Sequence, residues 1–101
     1  MIASMSTFRA SEAEVAEMAR IAGASMEGWL RGFDGYCGLL MLADQENGRA
    51  RVFTFWESLE AANASEESRA HVRNDVAQRI GAELESVELH EVAYHADLAL
   101  D

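Results

Sequence analysis

Proline is absent from the chain, and glycine, at 7 of 101 positions, does most of the punctuation. Element breaks must come from glycine, capping side chains or turn-forming Asn and Asp. Cysteine occurs once, as Cys37, which excludes an internal disulfide and leads to the expectation of a reducing, cytoplasmic setting. Its neighbours Tyr36 and Gly38 carry no positive charge, so the thiol reads as a small, inert hydrophobe. Basic side chains are few, 8 against 18 acidic ones, for a formal charge of −10. That field repels phosphate backbones and anionic lipid, so neither nucleic acid nor membrane is an expected partner. No run approaches the roughly 20 apolar residues of a membrane span, and no basic-then-apolar leader opens the chain. A Gly-rich phosphate loop, HExxH, CxxC and a Ser/His/Asp order are missing too. Hydrolase, nucleotide and zinc chemistry therefore have no motif, and neither metal nor cofactor is expected.

What remains is an ordinary globular composition, 50% apolar and 26% charged, of a size for one domain over 1–101. Residues 1–8 read as a first strand, followed by a capping box at Ser11 and Glu14. Val15, Met18, Ala19, Ala22 and Met26 then recur at helical spacing. Gly23 weakens this helix by up to about 1 kcal/mol. Gly28, or the loop from Gly32 to Gly35, should end it. Residues 36–43 and 49–57 read as strands joined through Asp44-Gln45-Glu46-Asn47-Gly48, whose Asn-Gly pair is a strong hairpin signal. Ser58 caps a second helical stretch from Leu59, and Ser65 caps a continuation of it. Val72, Val76, Ala77 and Ile80 form the expected buried stripe, with Gly81 as the C′ residue. Residues 85–95 read as a last strand with Val87 and Leu89 inward, and a bulge between Leu89 and Val92. The order predicts an α+β fold of ferredoxin-like βαββαβ type, with two helices on one face of a four-stranded antiparallel sheet.

The hairpin strands are apolar on both faces. Tyr36, Leu40 and Leu42 alternate with Cys37, Leu39 and Met41; Val52, Thr54 and Trp56 alternate with Phe53 and Phe55. A sheet with one wet face should alternate apolar with polar residues. Two helices cannot cover both faces, and the tail from Ala96 to Asp101 is too short to shield four strands. A second copy of the chain is therefore the expected partner, as a homodimer packed sheet to sheet.

Residues 32–65 carry a resemblance. Gly32-Phe33-Asp34-Gly35-Tyr36 enters the second strand, Asp44 to Gly48 turns, and Phe53-Thr54-Phe55-Trp56-Glu57-Ser58 runs into Leu59-Glu60-Ala61-Ala62. This pattern resembles the antibiotic-biosynthesis-monooxygenase-like group of the dimeric α/β-barrel superfamily. The resemblance implies a dimeric α/β barrel and a monooxygenase-like activity without metal or flavin on a small aromatic or quinone-type compound. In such chemistry the substrate, as an enolate or phenolate, supplies the electrons to O₂. The protein supplies an apolar cavity, a polar group favouring the ionised substrate, and exclusion of water. A non-catalytic dimer that binds a small ligand or serves a structural role is the alternative from another class.

Four side chains are the candidates. Trp56 is a cavity wall for an aromatic ligand, or else a core anchor with its N–H bonded within the protein. Tyr36 is a substrate contact beside Trp56 if the loop of 44–48 has five residues, and a tighter turn would shift it. His71 is the candidate acid or base, being the side chain that titrates near neutrality; its plain reading is an ion pair with Asp75 at i, i+4. Asn63 is a candidate amide donor to a substrate oxygen, or a turn residue between two helical pieces. The Ala70-His71 pair also resembles the iron-binding context of haem-degrading relatives. Those relatives use a first-strand asparagine and a second-helix tryptophan, and both are missing here, so haem binding is a minor alternative. His90 and His95 stand five apart on the last strand and do not form a metal site with Glu88 and Glu91.

Overall fold

The computed structural model describes residues 1–10 and 15–98. Its elements are β1 (Ile2–Ala10), α1 (Val15–Leu30), β2 (Tyr36–Asp44), β3 (Arg49–Trp56), α2 (Leu59–Arg79) and β4 (Ala82–Glu91). All strand pairs are antiparallel, in the order β2-β3-β1-β4, which is the ferredoxin-like α+β arrangement the sequence predicts. Among the described residues, no helix is long and apolar enough to cross a membrane. The Ser11–Glu14 capping box lies outside the described residues.

Helix α1 begins at Val15 and runs through Gly23 and Gly28 to Leu30, burying Val15, Ala22 and Leu30. After it, Gly35 adopts φ +81°, and a Cβ there would meet the Ala61 Cβ at 2.6 Å. Glycine is required twice over: for the left-handed backbone, and for the close approach of this loop to α2. The Gly35 carbonyl also accepts the Glu57 N–H at 2.8 Å, tying the entry of β2 to the exit of β3.

The hairpin differs from expectation in an instructive way. Asp44 pairs with Arg49, so the loop is the four residues 45–48, not five. The Asp44 carboxylate accepts from the Asn47 N–H at 3.2 Å and from Asn47 Nδ2 at 2.9 Å, which holds its pKa below the usual carboxylate value. That register alone would set Cys37 opposite Trp56. A bulge intervenes: Gly38 pairs with Phe55, Tyr36 pairs with Trp56, and Cys37 is the extra residue. Tyr36 thus turns onto the same face as Leu39 and Met41, and not onto the face of Leu40 and Leu42.

The second helical stretch is also corrected. Helix α2 is one continuous 21-residue helix from the Ser58 cap, where Ser58 Oγ accepts the Ala61 N–H at 3.1 Å, with no break at Asn63-Ala64-Ser65. Ser65 does not cap; its hydroxyl bonds back to the carbonyls of Ala61 and Ala62. Its buried side is Ala62, Ser65, Arg69, Arg73 and Ala77, while Val72, Val76 and Ile80 are only half-buried. Gly81 does take the C′ position, with φ +70°.

In β4 the bulge is at Glu85, opposite the step from Thr7 to Phe8, and not between Leu89 and Val92. The strand ends at Glu91, earlier than expected, and the Val92 N–H makes one further bond to the Met1 carbonyl at 2.9 Å. Val87 and Leu89 sit on the helix side opposite Ser6 and Ser4, yet stay 39% and 43% exposed on β4, an edge strand. On the other face lie Met5, Phe53 and Phe55, with Leu40 at 36% and Leu42 at 48% exposure. The rings of Phe53 and Phe55 stack at 6.1 Å.

Candidate functional site

Between the helices and the sheet lies a partly open cavity of about 60 Å³. Its floor is sheet, with Phe8, Met41 and Val52; α1 contributes Met18, Ala22 and Met26. These positions follow from the period of two in the strands and the 3.6-residue repeat of α1, so one side of the space is almost wholly apolar. The α2 side is different. Arg69 and Arg73, four residues apart and therefore on one helical face, both line the cavity.

Arg69 is 4% exposed. Its Nε donates to Ser65 Oγ at 2.9 Å, Nη1 to Ser4 Oγ at 3.3 Å, and Nη2 to the Ala62 carbonyl at 2.8 Å. Its guanidinium carbon stands 4.8 Å from the centre of the Trp56 ring. Burial lowers its pKa, Glu66 acts in the opposite sense, and Arg73 lowers it further. An arginine nonetheless remains a cation under such pressure. Arg73 faces the same carboxylate: its Nη1 and Nη2 donate to the two Glu66 oxygens at 3.1 Å each. Glu66 Oε2 also lies 3.2 Å from Arg69 Nη2. Two guanidinium groups thus share one carboxylate, leaving a net positive wall in a protein of charge −10.

The sequence-predicted residues divide. Tyr36 and Trp56 come together, paired across β2 and β3 with their rings edge to face at 5.9 Å. Trp56 is fully buried, and its Nε1–H donates to Thr54 Oγ1 at 3.0 Å. With Leu30 and Ala62 it forms a core cluster against which Ile2, Phe33, Tyr36 and Leu39 pack. Neither ring lines the cavity; Trp56 stands behind Arg69 and supports it. His71 and Asn63 are exposed on α2, and neither is among the lining residues. They point away because α2 buries the side bearing Ala62, Arg69 and Arg73. The Cys37 thiol is pushed up in pKa by partial burial, with Glu57 adding to the shift, which disfavours a thiolate nucleophile. Among the described residues, no group of three His, Cys, Asp or Glu could hold a metal ion.

Arg69, Arg73, Glu66 and Ser4 were not singled out from the sequence. A signal existed: Ser65, Arg69, Arg73 and Ala77 recur every four residues, on the side that also carries Ala62. Reading arginine as solvated by default hides it.

No protein-family model matches the chain. Two uncharacterized proteins from strains of Mycobacterium tuberculosis are 34% identical to it over 68 residues. The match covers 67% of this chain and 30% of theirs, so the chain spans under a third of the length of these relatives. Solved structures match across nearly the whole length. A candidate antibiotic biosynthesis monooxygenase from Deinococcus radiodurans superposes with TM-score 0.69 at 19% identity, over 97% of this chain and 98% of that one. SnoaB, a cofactor-independent oxygenase from Streptomyces nogalater, gives 0.69 at 10% identity, over 96% and 97%. MhuD, as a mutant with two manganese protoporphyrins per active site, gives 0.65 at 19% identity, over 95% and 98%. The chain shares the fold of these solved structures.

Proposed function

We propose that the chain is a cofactor-independent, monooxygenase-like protein acting on a small enolisable aromatic or quinol-type compound in the helix–sheet cavity. The observation that carries this reading is the buried, fully oriented Arg69 guanidinium set into an apolar cavity beside Arg73. A cation held in that way lowers the pKa of a substrate hydroxyl and stabilises the resulting anion. Apolar walls strengthen the interaction by keeping water out. The ionised ring then reduces O₂ by one electron, and the two radicals combine in a carbon–oxygen bond. The hydroperoxide so formed loses water to leave a carbonyl. One oxygen of O₂ enters the product, the other leaves as water, and the substrate, losing two hydrogens, supplies all four electrons.

Exposed His71 and Asn63 have no part in this scheme; the ionising role passes to Arg69, and the released proton leaves through the mouth of the cavity. That among the described residues no ionisable side chain other than the two arginines lines the cavity favours the second reading, a binding protein without turnover. Haem does not fit the residues present. No histidine lines the cavity, and its volume is about 60 Å³. The test is oxygen consumption by the purified chain with anthrone-like and one-ring hydroquinone substrates. Uptake well above the uncatalysed rate supports turnover; binding without uptake assigns the second reading.

The exposed sheet face supports a homodimer. Leu40 and Leu42 are exposed on it, beside half-buried Met5 and Phe53 and the buried Phe55, and a second copy of the same face would cover the two leucines. Sedimentation at micromolar concentration should give twice the chain mass, and Leu40→Asp should shift it toward the monomer. A folded wild-type monomer would sink the proposal.

A further inference from the structure

The two cavity arginines are held very differently. Four donor interactions fix Arg69, and its face rests on Trp56, so it cannot turn without losing all of them. Arg73 is as well buried, at 8%, yet among the described residues it bonds to Glu66 alone. Glu66 has a side chain 40% exposed, so its carboxylate can rotate out and be rehydrated at little cost. The Arg73–Glu66 pair is exchangeable, whereas the Arg69 bonds to Ser65, Ser4 and the Ala62 carbonyl are not.

From this we infer that the cavity takes a one-ring aromatic carboxylate, whose acid group binds Arg73 in place of Glu66. This rests on the cavity's being the ligand site proposed above, and deepens it by naming the ligand class and the residue that sets its affinity. Three observations converge. The Arg73 guanidinium offers the planar, two-pronged geometry that matches a carboxylate, already shown by its contact with Glu66 at 3.1 Å twice. The cavity volume of about 60 Å³ compares with roughly 10–15 Å³ for a single water on the same measure, which favours one ring over a fused system. Met18, Met26 and Met41 in the opposite walls can adjust to an aromatic ring. Glu66 is then a built-in competitor, occupying Arg73 when the site is empty and yielding it when the ligand arrives.

The probe is salicylate, compared with its neutral isostere salicylamide, by equilibrium dialysis against the full chain. The wild type should prefer the acid by about tenfold or more, a difference typical of one charge-assisted contact. Glu66→Gln, at a partly exposed position that keeps the fold, should bind salicylate about tenfold more tightly and leave salicylamide unchanged. Arg73→Gln, checked for folding by circular dichroism, should bind acid and amide alike. A purely structural ion pair predicts the reverse for Glu66→Gln, weaker binding of both compounds. Equal affinities in the wild type, an unaltered ratio in Arg73→Gln, weaker salicylate binding in Glu66→Gln, or no binding of either compound overturns the inference. Oxygen uptake with a neutral hydroquinone is measured separately, so loss of the acid preference and loss of turnover are told apart.

Discussion

Arg69→Met should cut the rate of oxygen consumption by about a hundredfold to a thousandfold, the size seen when one oriented donor to a developing anion is removed. Methionine fills much of the same volume and reaches along the same path, so the cavity wall keeps its shape. Stability should move by no more than about 2 kcal/mol, because two opposing effects nearly cancel. Burial disfavours the charged guanidinium, as its lowered pKa shows, and an apolar side chain removes that cost. Against this, Ser4 loses its bond from Nη1, and the Trp56 ring loses its cation at 4.8 Å. Glu66 keeps Arg73, so no carboxylate is stranded. Initial rates give the first quantity and urea midpoints the second. A variant as active as the wild type would remove Arg69 from the chemistry; one that fails to fold would make it a structural residue. Arg69→Lys separates charge from geometry: an ammonium keeps the charge but not the fork that reaches Ser4, Ser65 and the Ala62 carbonyl together. Its rate should fall between the other two.

Trp56→Ala has the largest expected effect on stability, a loss of about 3–5 kcal/mol. The ring is wholly buried and packs in one cluster with Leu30 at the end of α1, Ala62 in α2, Ile2 across the sheet and Tyr36 beyond the bulge. Removing it opens a cavity where backbone from several elements converges, a place poorly able to collapse. For a domain with a total stability of about 5–15 kcal/mol, such a loss brings unfolding close to ordinary temperatures. Trp56→Phe keeps most of the ring and loses the N–H bond to Thr54 Oγ1, for a smaller cost of about 1–2 kcal/mol. Urea denaturation followed by far-ultraviolet circular dichroism measures both. An alanine variant within 1 kcal/mol of wild type, roughly the cost of a surface change, would show that Trp56 is not the anchor of this core. The ring also supports the Arg69 guanidinium, so Trp56→Phe should lower activity more than its stability cost explains.

Much of the fold was legible because local rules and burial agree. The spacing of Val15, Met18, Ala22 and Met26 is helical in the chain and lines one cavity wall in the structure. Asn47-Gly48 marks a turn, and Ser58 and Gly81 mark the ends of α2. The pairing of Tyr36 with Trp56 was reached for the wrong reason, since a four-residue loop and a bulge at Cys37 together yield the register that a five-residue loop would have given alone. A bulge costs one unpaired residue and leaves no composition signal, so strand alternation could not reveal it. The division of α2 at Asn63-Ala64-Ser65 failed because residue preferences there favour a turn weakly, while packing against the sheet holds the helix continuous.

Arg69 and Arg73 show why the site was harder. In sequence, arginine on a polar helix reads as surface charge, and His71, two residues from each, draws attention as the titratable group. Which of them enters the cavity depends on the rotation of α2 about its axis. That rotation is set by contacts with Leu30, Trp56 and Ser4, distant in the chain. Composition, periodicity and turn chemistry determined the order of elements, the antiparallel hairpin, the acidic surface and the two-faced apolar strands, because each rests on neighbours within a few residues. Only the tertiary structure decided that Tyr36 turns inward, that His71 and Asn63 face solvent, and that two arginines share one carboxylate in an apolar cavity. Those outcomes depend on long-range packing, where burial over several elements outweighs the preference of any single residue.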